Sequence, residues 1–109
     1  MKHTITARDE IERLFHEGRR SSCALIAVFV LPSQASDGAG RLLFAAGKKL
    51  GSAPMRSRSK RVLRACATEL GAPWAGFDVA LTARKGLATA PHAEVLAQMC
   101  RCLERAGVL

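Results

Sequence analysis

Apolar residues recur along this chain with two different periods. Ile11, Leu14 and Phe15 fall at the three- and four-residue spacing that puts side chains on one helical face. Thr6, with Asp9 or Glu10 three or four residues on, supplies a start signal, and Gly18 predicts the end of this first helix. Residues 22–31 are rich in Val, Ile, Leu and Phe and stop at Pro32, as in a strand covered on both faces or a strand pair. Residues 33–40 read as a flexible turn, and 41–47 resume an extended apolar pattern closed by Lys48 and Lys49. The two runs joined by that turn are expected to pair antiparallel. Gly51-Ser52-Ala53-Pro54 opens a second helix, with Ser52 or Ala53 as cap and Pro54 in the first turn, and the pattern carries it to about Leu70. Gly71 to Gly76 breaks the period, residues 77–82 suggest a short strand ended by Arg84-Lys85-Gly86, and 91–106 return to helical spacing before Gly107. The order is helix, strands, helix, strand, helix. Such an order fits one α+β layer sandwich over 1–109, with no internal repeat and no linker long enough to divide it.

Composition narrows the partner. With 49% hydrophobic and 24% charged residues in 109 positions, the chain has material for a modest core without metal or disulfide staples. Seventeen Lys and Arg against nine Asp and Glu give a net charge of +8, which favours a polyanionic partner. The longest apolar run, residues 23–31, is far short of the roughly 20 residues a spanning helix needs. The first twelve residues mix charges of both signs and do not resemble a secretory signal, so a cytoplasmic location is expected. Cys23, Cys66, Cys100 and Cys102 form no CxxC pair and sit among apolar neighbours, as reduced thiols acting as small hydrophobes do. Cys100 and Cys102 point to different sides of a helix, and no metal site is assigned.

The densest positive charge lies in the second helix, where Arg56, Arg58, Lys60, Arg61 and Arg64 fall within nine positions. At about 100° per residue, Arg56, Lys60, Arg61 and Arg64 occupy one broad face, while Met55, Val62, Leu63, Cys66 and Leu70 gather roughly opposite. Like charges four apart repel, so Arg56 with Lys60, and Lys60 with Arg64, cost helix stability unless an anion compensates. A solvated face is the plain alternative. Against it stand the preference for Arg, whose planar fork suits phosphate and stacks on bases, and the lack of any carboxylate from Lys48 to Ala67.

Lys48-Lys49-Leu50-Gly51, Ala53, and Arg56-Ser57-Arg58-Ser59-Lys60-Arg61 with Arg64 resemble, in order and spacing, the signature of the ribonuclease P protein family. Phe15 with Gly18, and the late strand running into Ala83-Arg84-Lys85, extend the resemblance over nearly the whole chain. Ser57 stands where the family usually has Asn, Ser59 and Pro54 where it usually has aliphatic residues, and Cys23, Leu25, Ile26 and Ala27 where it often has aromatics. The resemblance implies a ribosomal protein S5 domain 2-like α+β fold, a small mixed sheet packed with helices. It also implies a left-handed β-α-β crossover around the basic helix, an exception to the right-handed rule. It further implies a subunit of an endoribonuclease whose catalyst is RNA, assisting magnesium-dependent removal of the 5′ leader from precursor tRNA. The protein then supplies no nucleophile, and Mg2+ is held by the RNA and substrate. On this resemblance Lys48, Lys49, Arg56, Ser57, Arg58, Lys60, Arg61 and Arg64 contact the ribonuclease P RNA, one protein to one RNA. Phe15, Arg84 and Lys85 shape a cleft for the single-stranded leader of precursor tRNA. For Phe15, spaced with Ile11 and Leu14, plain core is the competing role.

The residues support three other readings less well. An autonomous enzyme finds little support: His3, His16 and His92 are isolated and read as surface residues, and Asp78 reads as a solvated or capping carboxylate. A general RNA-binding or ribosome-associated module would use the same helix without a role in tRNA processing. Membrane-surface binding needs an apolar stripe that the core claims here.

Overall fold

The computed structural model describes residues 4–109; the side chain of Lys48, and His3, lie outside that description. Its elements run α1 (Arg8–Glu17), β1 (Arg19–Ser22), β2 (Ile26–Pro32), β3 (Arg41–Ala46), α2 (Ala53–Glu69), β4 (Phe77–Ala83) and α3 (His92–Arg105), with single 3-10 turns at Lys48–Leu50 and Leu87–Thr89. The four strands form one mixed sheet in the order β1-β2-β4-β3. β2 is antiparallel to both β1 and β4, whereas β3 lies parallel to β4. The fold is therefore α+β, and α2 is the crossover between two neighbouring parallel strands.

That topology corrects the pairing expected from the sequence. The runs before and after the 33–40 turn do not pair with each other, because β4 is inserted between β2 and β3. β2 carries apolar residues on both faces. Ile26, Val28 and Val30 point into the large core under α2 and α3, while Phe29 and Leu31 join Ala80, Leu43, Leu14 and Ile5 under α1. A strand apolar on both faces belongs inside a sheet, so it needs a neighbour on each side. The neighbour on its other side is β1, Arg19 to Ser22, a polar edge strand with no hydrophobic alternation to announce it; its charges suit an edge.

Local chemistry sets the helix limits. In α2, Ser52 is the cap, its hydroxyl accepting from the Met55 N–H, and Pro54 follows in the first turn. In α1 the cap position is Ala7, without a side-chain hydrogen bond, so Thr6 does not fill the role the sequence suggested. The α3 helix ends where Gly107 adopts φ +85 and lets the Val108 N–H return to the Leu103 carbonyl. α2 buries Ser59, Leu63, Cys66 and Ala67 against the sheet and α3. Full burial of a leucine such as Leu63 is worth about 2 kcal/mol relative to exposure, which fixes the roll of the helix and hence the direction of its arginines.

One buried polar cluster pins α1 to the sheet. Arg41 and Asp78 are register partners on β3 and β4, and the guanidinium holds both Asp78 oxygens at 3.1 and 2.8 Å. The same group reaches both Glu10 oxygens at 3.2 and 2.7 Å. Asp78 is only 3% exposed, so of the two roles read from the sequence, solvated or capping, the first does not hold: it is a buried ion-pair partner that also accepts the Gln34 N–H at 3.2 Å. The two carboxylates push the Arg41 pKa up, and hydrogen bonding to Arg41 lowers that of Glu10.

Candidate nucleic-acid interface

With Leu63, Cys66 and Ala67 turned inward, the opposite side of α2 carries Ser57, Arg58, Lys60, Arg61 and Arg64, all exposed. The arginines are held in different ways. Arg58 donates from Nε to the Ala88 carbonyl at 3.0 Å, which anchors its guanidinium against the turn after β4. Arg64 lies over the Phe44 ring of β3 at 5.2 Å, a cation–π contact that leaves its N–H groups free. Arg56 is half-buried on the flank of the helix, and its Nε is buried with no hydrogen-bond partner among the described residues. Among the described residues, no basic side chain from Lys49 to Arg64 is ion-paired; the carboxylate at the end of α2, Glu69, is taken by His92 at 2.8 Å.

Arg58 and Arg61 share a shallow groove of about 290 Å³ with Val62, Ala65 and His92. A larger open groove of about 720 Å³ lies at the other end of α2, where Lys49, Leu50, Thr82, Arg84 and Lys85 converge with Ala24 and Gly47. Thr82 Oγ1 is buried there and has no hydrogen-bond partner among the described residues. Arg84 donates to the Cys23 carbonyl at 3.1 Å, which fixes one wall. This groove brings Arg84 and Lys85 to Lys49, not to Phe15. Phe15 is half-buried under the sheet's other face and meets Phe29 edge-on, centroids 4.8 Å apart, with Arg20 over the Phe29 ring at 5.9 Å.

Phe29, Arg20 and Phe44 were not singled out from the sequence. A signal for Phe29 exists, since it shares parity with Ala27 and Leu31 and so faces α1; Arg20 and Phe44 take their roles from neighbours distant in the chain. His16 and His92 are exposed as expected. Among the described residues there is no group of three or more His, Cys, Asp or Glu placed to hold a metal ion, and no helix long and apolar enough to cross a membrane.

An α+β domain that turns an unneutralised arginine face outward beside a lysine-lined groove belongs to the RNA-binding class of small basic proteins. The family model for ribonuclease P matches residues 1–107, and the chain belongs to that family. A ribonuclease P protein component from Bacillus cereus (strain B4264) is 31% identical over 108 residues, covering 98% of this chain and 93% of the relative. One from strain G9842 is 30% identical over the same length. The RNase P protein of Staphylococcus aureus superposes with a TM-score of 0.84 at 19% identity, covering 99% of this chain and 98% of that one. The protein from Thermotoga maritima gives 0.79 at 22% identity, over 95% and 97%. The chain is thus a protein subunit of an endoribonuclease complex, with a role in tRNA 5′ processing.

Proposed function

We propose that the chain works as a single RNA-binding domain over 1–109, pairing one to one with the ribonuclease P RNA in the cytoplasm. The outer face of α2 is the contact: Arg58, Lys60, Arg61 and Arg64, with Ser57 between them and Arg56 and Lys49 at the margins. The observation that carries this reading is the uncompensated charge of that face, set rigidly by the buried stripe behind it and by the Arg58 anchor on Ala88. Anchored guanidinium groups lose less freedom on meeting phosphate than free ones, so each contact is stronger.

The leader of precursor tRNA is assigned to two surfaces. Lys49, Arg84 and Lys85 track its phosphates along the 720 Å³ groove. Phe15, with Phe29 and Arg20, gives a stacking edge on the α1 side. Magnesium is assigned to the RNA and substrate. Asp78 and Glu10 suit no other role, since both are engaged by Arg41. The protein's contribution is positional and electrostatic: it holds the RNA and the leader so that the RNA's own chemistry proceeds at lower magnesium.

The test is RNA affinity in Arg58→Ala and Arg61→Ala proteins that fold as the parent does. A loss of about tenfold or more in each, larger at low salt, is expected from removal of a charged phosphate contact. Unchanged affinity in both would reduce the α2 face to a solvated surface.

A further inference from the structure

Two of the four cysteines, far apart in sequence, meet in space. Cys23 lies in the turn between β1 and β2, Cys102 is on α3, and their sulfurs are 3.0 Å apart, within about 1 Å of the roughly 2.05 Å of a disulfide bond. Both are free thiols. The Arg105 guanidinium lies 2.7 Å from Cys23 Sγ and 3.9 Å from Cys102 Sγ, so a positive charge is directed mainly at the first sulfur. Their exposure differs as well: Cys23 is half-buried, Cys102 fully buried. The ribonuclease P role gives this cluster no task, and nothing in packing alone calls for an arginine against a thiol.

We propose that Cys23 and Cys102 form an oxidant-reactive dithiol site, which hydrogen peroxide converts to a disulfide joining the β1–β2 turn to α3. Cys23 is the attacking residue, because it is the accessible one and Arg105 stands beside the sulfur that must carry negative charge. Its thiolate attacks a peroxide oxygen; the S–O bond forms, the O–O bond breaks, and hydroxide leaves to take a proton and become water. Cys102 then attacks the sulfur of the Cys23 sulfenic acid. The S–S bond forms and a second water leaves with the Cys102 proton, so two thiols lose two electrons and the peroxide gains them. Burial, with Cys23 alongside, pushes the Cys102 thiol up to about 11, which keeps it protonated until the first step has made an electrophile next to it. Cys66 is an unsuitable competitor, fully buried and likewise raised by burial.

The crosslink lies behind one wall of the lysine-lined groove, since the Cys23 carbonyl accepts from Arg84 and Ala24 lines the groove itself. Treating the reduced full-length chain with hydrogen peroxide, then unfolding, alkylating and digesting it, should give a Cys23–Cys102 linked peptide lighter by two hydrogens. Cys102→Ser should instead gather a dimedone-reactive sulfenic acid at Cys23, and Cys23→Ser, at a half-buried site, should give neither product. Oxidation of Cys66 or Cys100 ahead of this pair, or Cys23 and Cys102 both alkylated after peroxide, would overturn the proposal.

Discussion

Arg58 Nε donates to the Ala88 carbonyl at 3.0 Å, so the α2 helix and the turn leading to α3 share one hydrogen bond at the edge of the basic face. The bond takes one of the five guanidinium N–H groups and leaves the outer edge of the fork for a phosphate. Lysine can supply charge here but cannot hold Ala88 and a bidentate phosphate together. Arg58→Lys should therefore keep the fold and lower affinity for ribonuclease P RNA by about five- to tenfold, measured by filter binding at fixed salt. Equal affinity of the Lys variant would mean that charge alone acts at this position.

The rest of the face should act mainly through counterion release. Arg61→Ala and Arg64→Ala are each expected to reduce the slope of log affinity against log salt by about 1. Arg64 carries an additional expectation, because it lies 5.2 Å over Phe44. Phe44→Ala removes that support and should weaken RNA binding without changing the charge, while also costing about 3 kcal/mol of stability in urea from lost core packing.

Arg41 with Asp78 and Glu10 yields predictions for stability alone. Asp78→Ala leaves a mostly buried guanidinium with one partner and should cost about 3 kcal/mol. For Glu10 the folded-state pKa is depressed below its ordinary value near 4.5, chiefly by hydrogen bonding to Arg41. Its contribution is therefore present above the ordinary carboxyl range and lost as pH falls through the lower folded value. Glu10 is a third exposed, and screening holds that contribution to under about 1 kcal/mol. Unfolding curves between pH 3 and 7 should show a shallower acid decline for Glu10→Gln than for the parent.

Ser59 points inward, is fully buried, and returns its hydroxyl to the Met55 carbonyl at 3.0 Å. It borders a pocket of about 240 Å³ with Leu50, Met55, Leu87 and Ala88. Ser59→Val fills part of that space and should raise stability by about 1 kcal/mol with RNA affinity unchanged. A loss of stability would show that the pocket does not admit two methyl groups.

The sequence showed the helices and β4 well because their signals are local: Ser52 and Pro54 at the head of α2, the 3.6 period through Leu63 and Cys66, Gly107 after α3. Sheet order was not local. Nothing in β2 and β3 taken alone says that β4 lies between them, and the antiparallel expectation followed from the short turn joining them. The same limit applies to the site. Charge density marked Arg56 to Arg64, but the Ala88 anchor, the Phe44 support and the meeting of Cys23 with Cys102 depend on pairings between distant residues. Asp78 looked solvated because its partner, Arg41, is 37 positions away in sequence and adjacent in the sheet.

The most direct test of the central claim is cleavage of precursor tRNA at low magnesium by bacterial ribonuclease P RNA, alone and with this protein added. Stimulated release of the 5′ leader, abolished or strongly reduced when Arg58 and Arg61 are both replaced by Ala, is the predicted result. Tight, salt-sensitive RNA binding with no stimulation would contradict it and leave a general RNA-binding role.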